Sequence, residues 1–321
     1  MFKIGGSAHP GISGHRGPGP RISGHRGRGP RISGALDEPM AEHSSFRIGG
    51  PADLYVRPAD TDEAAEVLRI CAQESVPWFL LGGGTNILVS DRGIRGVVVD
   101  MGLLTGIHAD GPRVAARGGT PVSDVAGFAL AHGLSGMEFA YSLPGSIGGA
   151  VWMNARCYGA EISDVLEYVD YLGSDLALRR YTMTKEEWSY KRSPFQDGRR
   201  LILEAGLRLV PGAHNDIEAL MLSHHEDRER KGHFLHPCAG SIFKNNRAFG
   251  APTGQLIDSL GLKGRRIGGA QVAPFHGNII INTGTAQAAD VRALIELVEA
   301  EVRARLGFEL EREVILVGDW E

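Results

Sequence analysis

The sequence predicts an α+β protein, with a body of two modules behind a basic N-terminal tail. Three observations predict it. Short apolar runs of strand length are interspersed with capped helices that have one apolar face. Two glycine-rich stretches, Gly82–Gly84 and Pro144–Gly149, interrupt the first module. Neither Gly-x-Gly-x-x-Gly nor Gly-Lys-Ser/Thr occurs, and position 87 is Ile where the first pattern would need glycine. A Rossmann turn and a P-loop are therefore not expected. The expected units are a tail over 1–34, a first module over 35–212 ending at Pro211-Gly212, and a second over 213–321.

The tail repeats with a period of ten, Gly14–Ser23 and Gly24–Ser33, and offers almost nothing to bury. It reads as a disordered appendage. The body should begin near Asp37 with a glycine-rich turn, Ser44–Gly50, and a strand ending at Val56. Asp60 is placed to cap the next helix, with Glu63 three residues on, and Ala64, Val67, Leu68 and Cys71 give it one apolar face. Trp78–Leu81 reads as a buried strand, and the glycines directly after it let the backbone take positive φ and approach a ligand. Bare N–H groups in such a turn suit an anion, a diphosphate above all, and Thr85 and Asn86 add side-chain donors. A strand follows at Gly96–Asp100.

Pro121 opens a second helix whose C-terminal cap falls at Gly133. In the second glycine stretch, Pro144 and Gly145 force a turn, and Gly148, Gly149 and Ala150 remove side-chain bulk. Asn154 and Tyr158, four apart, are expected on one side of a helical turn. Strands are expected at 168–172 and 201–209, with a polar loop between them at Trp188–Phe195. The last module reads as a helix over 215–231 capped by Asn215 or Asp216, a helix over 253–260, a strand over 278–282, a helix over 286–306 and a strand over 308–317.

Composition narrows the class. The chain has 34 basic and 38 acidic residues. Residues 1–34 hold six of the basic ones and no acid, so the body has 28 basic against 38 acidic residues, a net of −10. That argues against broad nucleic-acid binding by the body. Three cysteines, Cys71, Cys157 and Cys238, show no Cys-x-x-Cys spacing and suit a reduced, cytoplasmic protein. No apolar run approaches membrane length.

Eight stretches in order, Ser45–Ala52, Leu81–Val89, Gly136–Asn154, Tyr190–Ser193, Ala239–Asn245, Gly254–Gly264, His276–Asn282 and Leu310–Val314, resemble the UDP-N-acetylenolpyruvoylglucosamine reductases of peptidoglycan precursor synthesis. The resemblance runs from about Ser44 onward and leaves the tail without a counterpart. It implies a vanillyl-alcohol-oxidase-type FAD-binding domain of two α+β subdomains, plus a smaller α+β substrate-binding domain. FAD would lie along Gly82, Gly83, Gly84, Thr85 and Asn86 and along Pro144, Gly145, Ser146, Gly148, Gly149 and Asn154, with Arg47 and Tyr158 as further contacts. The short interval from Tyr190 to Ser241 resembles the subfamily that lacks an extra tyrosine-bearing loop.

The implied reaction has two halves. NADPH reduces the flavin and leaves. The enolpyruvyl ether of UDP-N-acetylglucosamine then accepts hydride on its vinyl carbon and a proton beside its carboxylate. Ser241 matches the family's proton donor and Glu313 its catalytic glutamate, while Tyr190, Lys244 and Asn245 match substrate contacts. A monomer in the cytoplasm, without nucleic-acid or membrane partners, is the expected setting.

Three positions depart from the family pattern. The family's Tyr-Arg-x-Ser is here Tyr190-Lys191-Arg192-Ser193. Lys191 takes the arginine's place by alignment and keeps its charge, but lacks the bidentate fork, and Arg192 stands beside it. Arg156 replaces a usual glycine, and Asn246 a usual proline. A related FAD-dependent oxidase with another substrate, or a flavin-binding paralogue with impaired reduction, is the alternative reading. A zinc site drawn from His224, His225, His233, His236 and Cys238 is another, though without standard ligand spacing. No metal is expected.

Overall fold

The computed structural model of the chain describes residues 33–196 and 200–321. The repeats of the tail thus lie outside the described residues, apart from Ser33 and Gly34.

Strand β1 (Ala35–Pro39) runs antiparallel to β2 (Pro51–Val56). Helix α1 (Thr61–Gln73) is capped as its sequence implies, since the Asp60 carboxylate accepts from the Glu63 N–H at 2.8 Å. The Glu63 side chain reaches back one residue further, to the Ala59 N–H. Strands β3 (Trp78–Leu81), β4 (Ile87–Val89) and β5 (Ile94–Asp100) follow. The first sheet has the order β1-β2-β5-β3, with β5 parallel to both neighbours.

The second sheet begins with the hairpin β6 (Ile107–Asp110) and β7 (Arg113–Arg117), turned at Asp110-Gly111-Pro112. Helix α2 (Val122–Ala131) starts after Pro121, and Gly133 beyond its end has φ +63°. The two-residue strand β8 (Leu134–Ser135), helix α3 (Ile147–Met153) and a small hairpin of β9 (Arg156–Cys157) and β10 (Ala160–Glu161) come next. Strands β11 (Leu166–Leu172), β12 (Leu178–Thr182) and β13 (Leu201–Arg208) complete an antiparallel sheet of order β12-β11-β13-β7-β6. Strand β14 (Val210–Pro211) pairs with β8. Leu54, Leu68 and Val99 from the first sheet and its helix share one core with Val114, Val169 and Leu207 from the second.

Helix α4 (His214–Arg230) corrects the sequence expectation in two ways. Its N-cap is Ala213, without a side-chain cap, so neither Asn215 nor Asp216 caps it. Its apolar face, Ile217 and Met221, is buried in the first core, so the helix packs with the unit before it.

The remaining sheet has the order β15-β18-β17-β16, from β15 (Cys238–Ser241), β16 (Arg266–Ile267), β17 (Ala270–Val272) and β18 (Ile279–Asn282). Helices α5 (Thr253–Ser259) and α6 (Ala288–Leu306) close its core around Ile257, Leu294, Ile295 and Val298. Phe46, Ile48 and Leu88 from the first unit enter this core too. Asp91 fastens the units further, its carboxylate accepting from the Ala288 and Ala289 N–H groups at the start of α6 at 2.7 and 2.9 Å. The expected strand over 308–317 shrinks to β19 (Ile315–Val317), which leaves the second module and pairs in parallel with β4. Residues 310–314 instead run as extended chain against Ile242–Lys244, bonded from the Lys244, Glu313 and Val314 N–H groups. Among the described residues no helix is long and apolar enough to cross a membrane.

Candidate active site

The two glycine stretches meet. Gly83 lies so near the second turn that an added Cβ would fall 2.6 Å from the Gly145 Cα. Gly145 has φ +115°, and a Cβ there would fall 2.9 Å from the Thr85 hydroxyl oxygen. Together they form one wall of a cleft of about 700 Å3. Of the expected cofactor residues, Arg47, Gly83, Thr85, Asn86, Pro144, Gly145, Ser146 and Gly149 line it. Gly82, Gly84, Gly148 and Asn154 do not. Gly84 is small for another reason: a Cβ would strike the His43 carbonyl oxygen at 2.0 Å. Much of the glycine signal thus reports backbone packed on backbone.

Asn154 and Tyr158 do not share a helical face. Asn154 ends α3 in the left-handed conformation, φ +44°, fully buried. Its amide donates to the Ser189 carbonyl at 3.0 Å and its oxygen accepts from the Ser163 N–H at 3.1 Å. It thereby fixes the loop that carries residues 189–193. Tyr158 turns away to α4, stacked on His224 with ring centroids 3.9 Å apart. Its hydroxyl donates to the His224 carbonyl and to Asp227. Burial, then the Asp227 hydrogen bond, pushes its phenol well above the ordinary range.

A second cavity of about 780 Å3 adjoins the cleft, with Tyr190, Arg192, Lys244 and Asn245 among its lining residues. Five residues line both and so mark the throat between them: Arg156, Cys157, Lys191, Ser241 and Glu313. Lys191 sits at φ +58° in a tight turn closed by reciprocal bonds between Ser189 and Arg192. That turn aims Lys191 inward and Arg192 outward. The Lys191 Nζ is 2.6 Å from the Glu313 carboxylate, with the two side chains 12 % and 11 % exposed. Arg192 reaches Glu311 at 3.6 Å, with the two 65 % and 60 % exposed. Glu313 is positioned by its own backbone: its N–H donates to the Ile242 carbonyl at 2.7 Å, and its carbonyl accepts from Asn86 at 3.0 Å. Asn86 therefore ties the first glycine turn to the throat. Ser241 arrives on a bulge of β15, just after Gly240 at φ +71°.

In the second cavity Lys244 pairs with Glu311 at 2.7 Å. The Tyr190 hydroxyl accepts from the Asn245 N–H at 3.3 Å. The Asn245 side-chain oxygen is taken by the Thr253 N–H at the start of α5, which gives it a structural task as well.

Arg228 was not foreseen. It is buried on the cleft wall, and its Nε finds no hydrogen-bond partner among the described residues. In the run Asp227-Arg228-Glu229-Arg230 nothing in composition singles it out. Its spacing of seven from Met221, which continues the Ile217–Met221 face, is the signal that points inward. Next to it His233 is pushed down to about 4, by burial first and then by Arg228, His276 and Lys231. The clustered histidines do not converge: His224 stacks on Tyr158, His225 accepts from or donates to Ser142, and His236 faces Phe275. Among the described residues no group of three or more His, Cys, Asp or Glu is placed to hold a metal ion.

An FAD binding domain model matches residues 52–175, which hold both glycine stretches. A model described as the C-terminal domain of UDP-N-acetylenolpyruvoylglucosamine reductase matches 232–317, which hold Ser241 and Glu313. The UDP-N-acetylenolpyruvoylglucosamine reductase of Treponema denticola is 43% identical over 300 residues, 88% of this chain and 93% of its own length. The chain belongs to the UDP-N-acetylenolpyruvoylglucosamine reductase family. The enzyme of the same name from Caldanaerobacter subterraneus is 41% identical, again over 88% of this chain and 93% of its own. A crystal structure of the reductase from Thermus caldophilus superposes with a TM-score of 0.75 at 30% identity, covering 89% of this chain and 99% of that one.

The cleft suits FAD on its own chemistry. It offers hydroxyl and amide groups from Thr85, Asn86 and Ser146, the Arg47 cation at its wall, and one buried guanidinium nitrogen in want of an acceptor.

Proposed function

We propose that the chain reduces the enolpyruvyl ether of UDP-N-acetylglucosamine to UDP-N-acetylmuramate with NADPH, as an FAD-dependent enzyme of peptidoglycan synthesis. The observation that carries this reading is the throat, where Lys191, Glu313 and Ser241 stand between the glycine-walled cleft and a second, polar cavity. FAD would be held by Arg47, Gly83, Thr85, Asn86, Gly145, Ser146, Gly149 and Arg228. When bound, it supplies the hydride carrier between the nicotinamide and the enolpyruvyl double bond.

The chain's own residues do the rest. Hydride added to the terminal methylene leaves an electron pair on the carbon that bears the ether and the carboxylate. The Lys191 ammonium stabilises that charge in an enclosed site, where a fixed cation acts more strongly than in water. Glu313 holds Lys191 in place through the 2.6 Å ion pair. Ser241 gives its hydroxyl proton to the same carbon and is reprotonated from solvent. A serine is a weak acid, so the nearby cation is part of the device. Tyr190 and Lys244 take the nucleotide end of the substrate in the second cavity, Lys244 as a point charge for phosphate. Arg192 has no part in the chemistry. The acidic body speaks against nucleic-acid partners, and the unpaired cysteines suit a cytoplasmic setting.

The visible spectrum of the holoenzyme tests the reaction. NADPH without oxygen should bleach the flavin, and the enolpyruvyl ether should then restore its colour. Colour restored by oxygen alone would instead establish an oxidase with another substrate.

A further inference from the structure

We propose that Arg156 binds the carboxylate of the substrate, the task for which the family pattern uses the arginine that Lys191 replaces. The assignment rests on the reaction proposed above. Arg156 is one of the five residues shared by the two cavities, so it stands at the throat with Lys191, Ser241 and Glu313.

Charge at the throat explains why a second cation is needed. Lys191 already faces Glu313 at 2.6 Å and, in the reaction proposed above, the charge that develops on carbon, so little of its charge is left for the substrate's carboxylate. Without another cation the throat would be neutral, and an anion would have to be desolvated there with little return. Arg156 supplies the missing charge. Its only ion-pair partner among the described residues is Glu161, opposite it across the small hairpin, and that contact is long at 3.9 Å. Glu161 is itself engaged, accepting from the Ser163 hydroxyl at 2.8 Å and facing the Lys185 ammonium at 3.4 Å. The Arg156 guanidinium therefore has donors to spare. Its carbon lies 5.7 Å from the centroid of the Tyr190 ring, which is anchored in turn by the Asn245 N–H. A third of the side chain is exposed, so a ligand can reach it. The planar fork that Lys191 lacks is thus restored from β9, matched to a carboxylate by two parallel N–H groups.

The test compares two ligands that differ only in the enolpyruvyl group. Holoenzymes of the wild type, Arg156→Gln and Arg156→Lys are titrated calorimetrically with the enolpyruvyl ether and with UDP-N-acetylglucosamine, which has no carboxylate. Flavin content and the rate of bleaching by NADPH are measured on the same samples. Arg156→Gln should weaken the ether about tenfold or more and leave UDP-N-acetylglucosamine within about twofold, with flavin content and bleaching unchanged. Arg156→Lys should fall between. Equal losses for both ligands would overturn the assignment in favour of the diphosphate. Loss of flavin would overturn it in favour of the cofactor, and unchanged affinities would overturn it outright. If the wild type binds the ether but does not reduce it, the proposed reaction falls, while the assignment still stands or falls on the affinities of Arg156→Gln and Arg156→Lys.

Discussion

Two basic residues adjacent in sequence, Lys191 and Arg192, each face a glutamate, and the two pairs have little else in common. Lys191 and Glu313 are enclosed and 2.6 Å apart, whereas Arg192 and Glu311 are open to solvent and 3.6 Å apart. The Coulomb energy of one unit pair changes severalfold between such settings. The single left-handed residue at position 191 decides which cation goes where. Burial and backbone geometry, not the identity of the charge, decide which of the two cations faces the throat.

The largest effect should come from the enclosed set. Ser241→Ala removes the proposed proton donor and should lower kcat about 10²–10⁴-fold, while the rate of flavin bleaching by NADPH stays as in the wild type. Stopped-flow measurement of each half-reaction checks this, and slowed bleaching would move Ser241 out of its assigned step.

Lys191→Ala should lower kcat about 10²–10³-fold and leave Glu313 enclosed without its partner. Lys191→Arg should retain part of the activity. Near-normal turnover in Lys191→Ala alongside an inactive Arg192→Ala would reverse the comparison. For Arg192→Ala we expect turnover within about twofold and stability within about 0.5 kcal/mol, because the pair is exposed and Glu311 keeps Lys244.

Between these extremes lies Gly83→Ala. Its Cβ would meet the Gly145 Cα at 2.6 Å, so the two turns must part. Overpacking of this kind costs about 1–3 kcal/mol, and flavin affinity, measured by fluorescence titration, should fall about tenfold.

The smallest effect extends the burial argument to His233. Its folded value, about 4, lies below the ordinary 6.5, so the unfolded chain binds more protons. Stability is therefore lost as pH falls from about 6.5 towards 4. Replacing it, His233→Gln, should shrink the drop in Tm between pH 7.5 and pH 5. An unchanged drop would place the acid sensitivity elsewhere.

The sequence reading located the glycine turns, the α1 face and the order of the motifs, because each is a local signal. It did not see that Gly83 and Gly84 serve chiefly to let backbone approach backbone, since the approaching partners, Gly145 and His43, are distant in sequence. The β6–β7 hairpin carries only the Asp110-Gly111 turn signal in sequence, because its strands are short and weakly apolar. The spacing of Asn154 and Tyr158 suits a helical face, but the left-handed helix end at Asn154 is not written in the residues before it. The choice between Lys191 and Arg192 depended on one φ angle, which pattern alone does not supply.

The pairing of β19 with β4 has a consequence in time. During synthesis Asn86, in the first glycine turn, leaves the ribosome 227 residues before Glu313. Asn86 bonds to Glu313, two residues before β19, so turn and throat are completed by the same event. A nascent chain halted before Glu313 would hold both glycine stretches and yet have neither the clasp nor the charge they close upon. The clasp therefore closes long after both glycine stretches have been made.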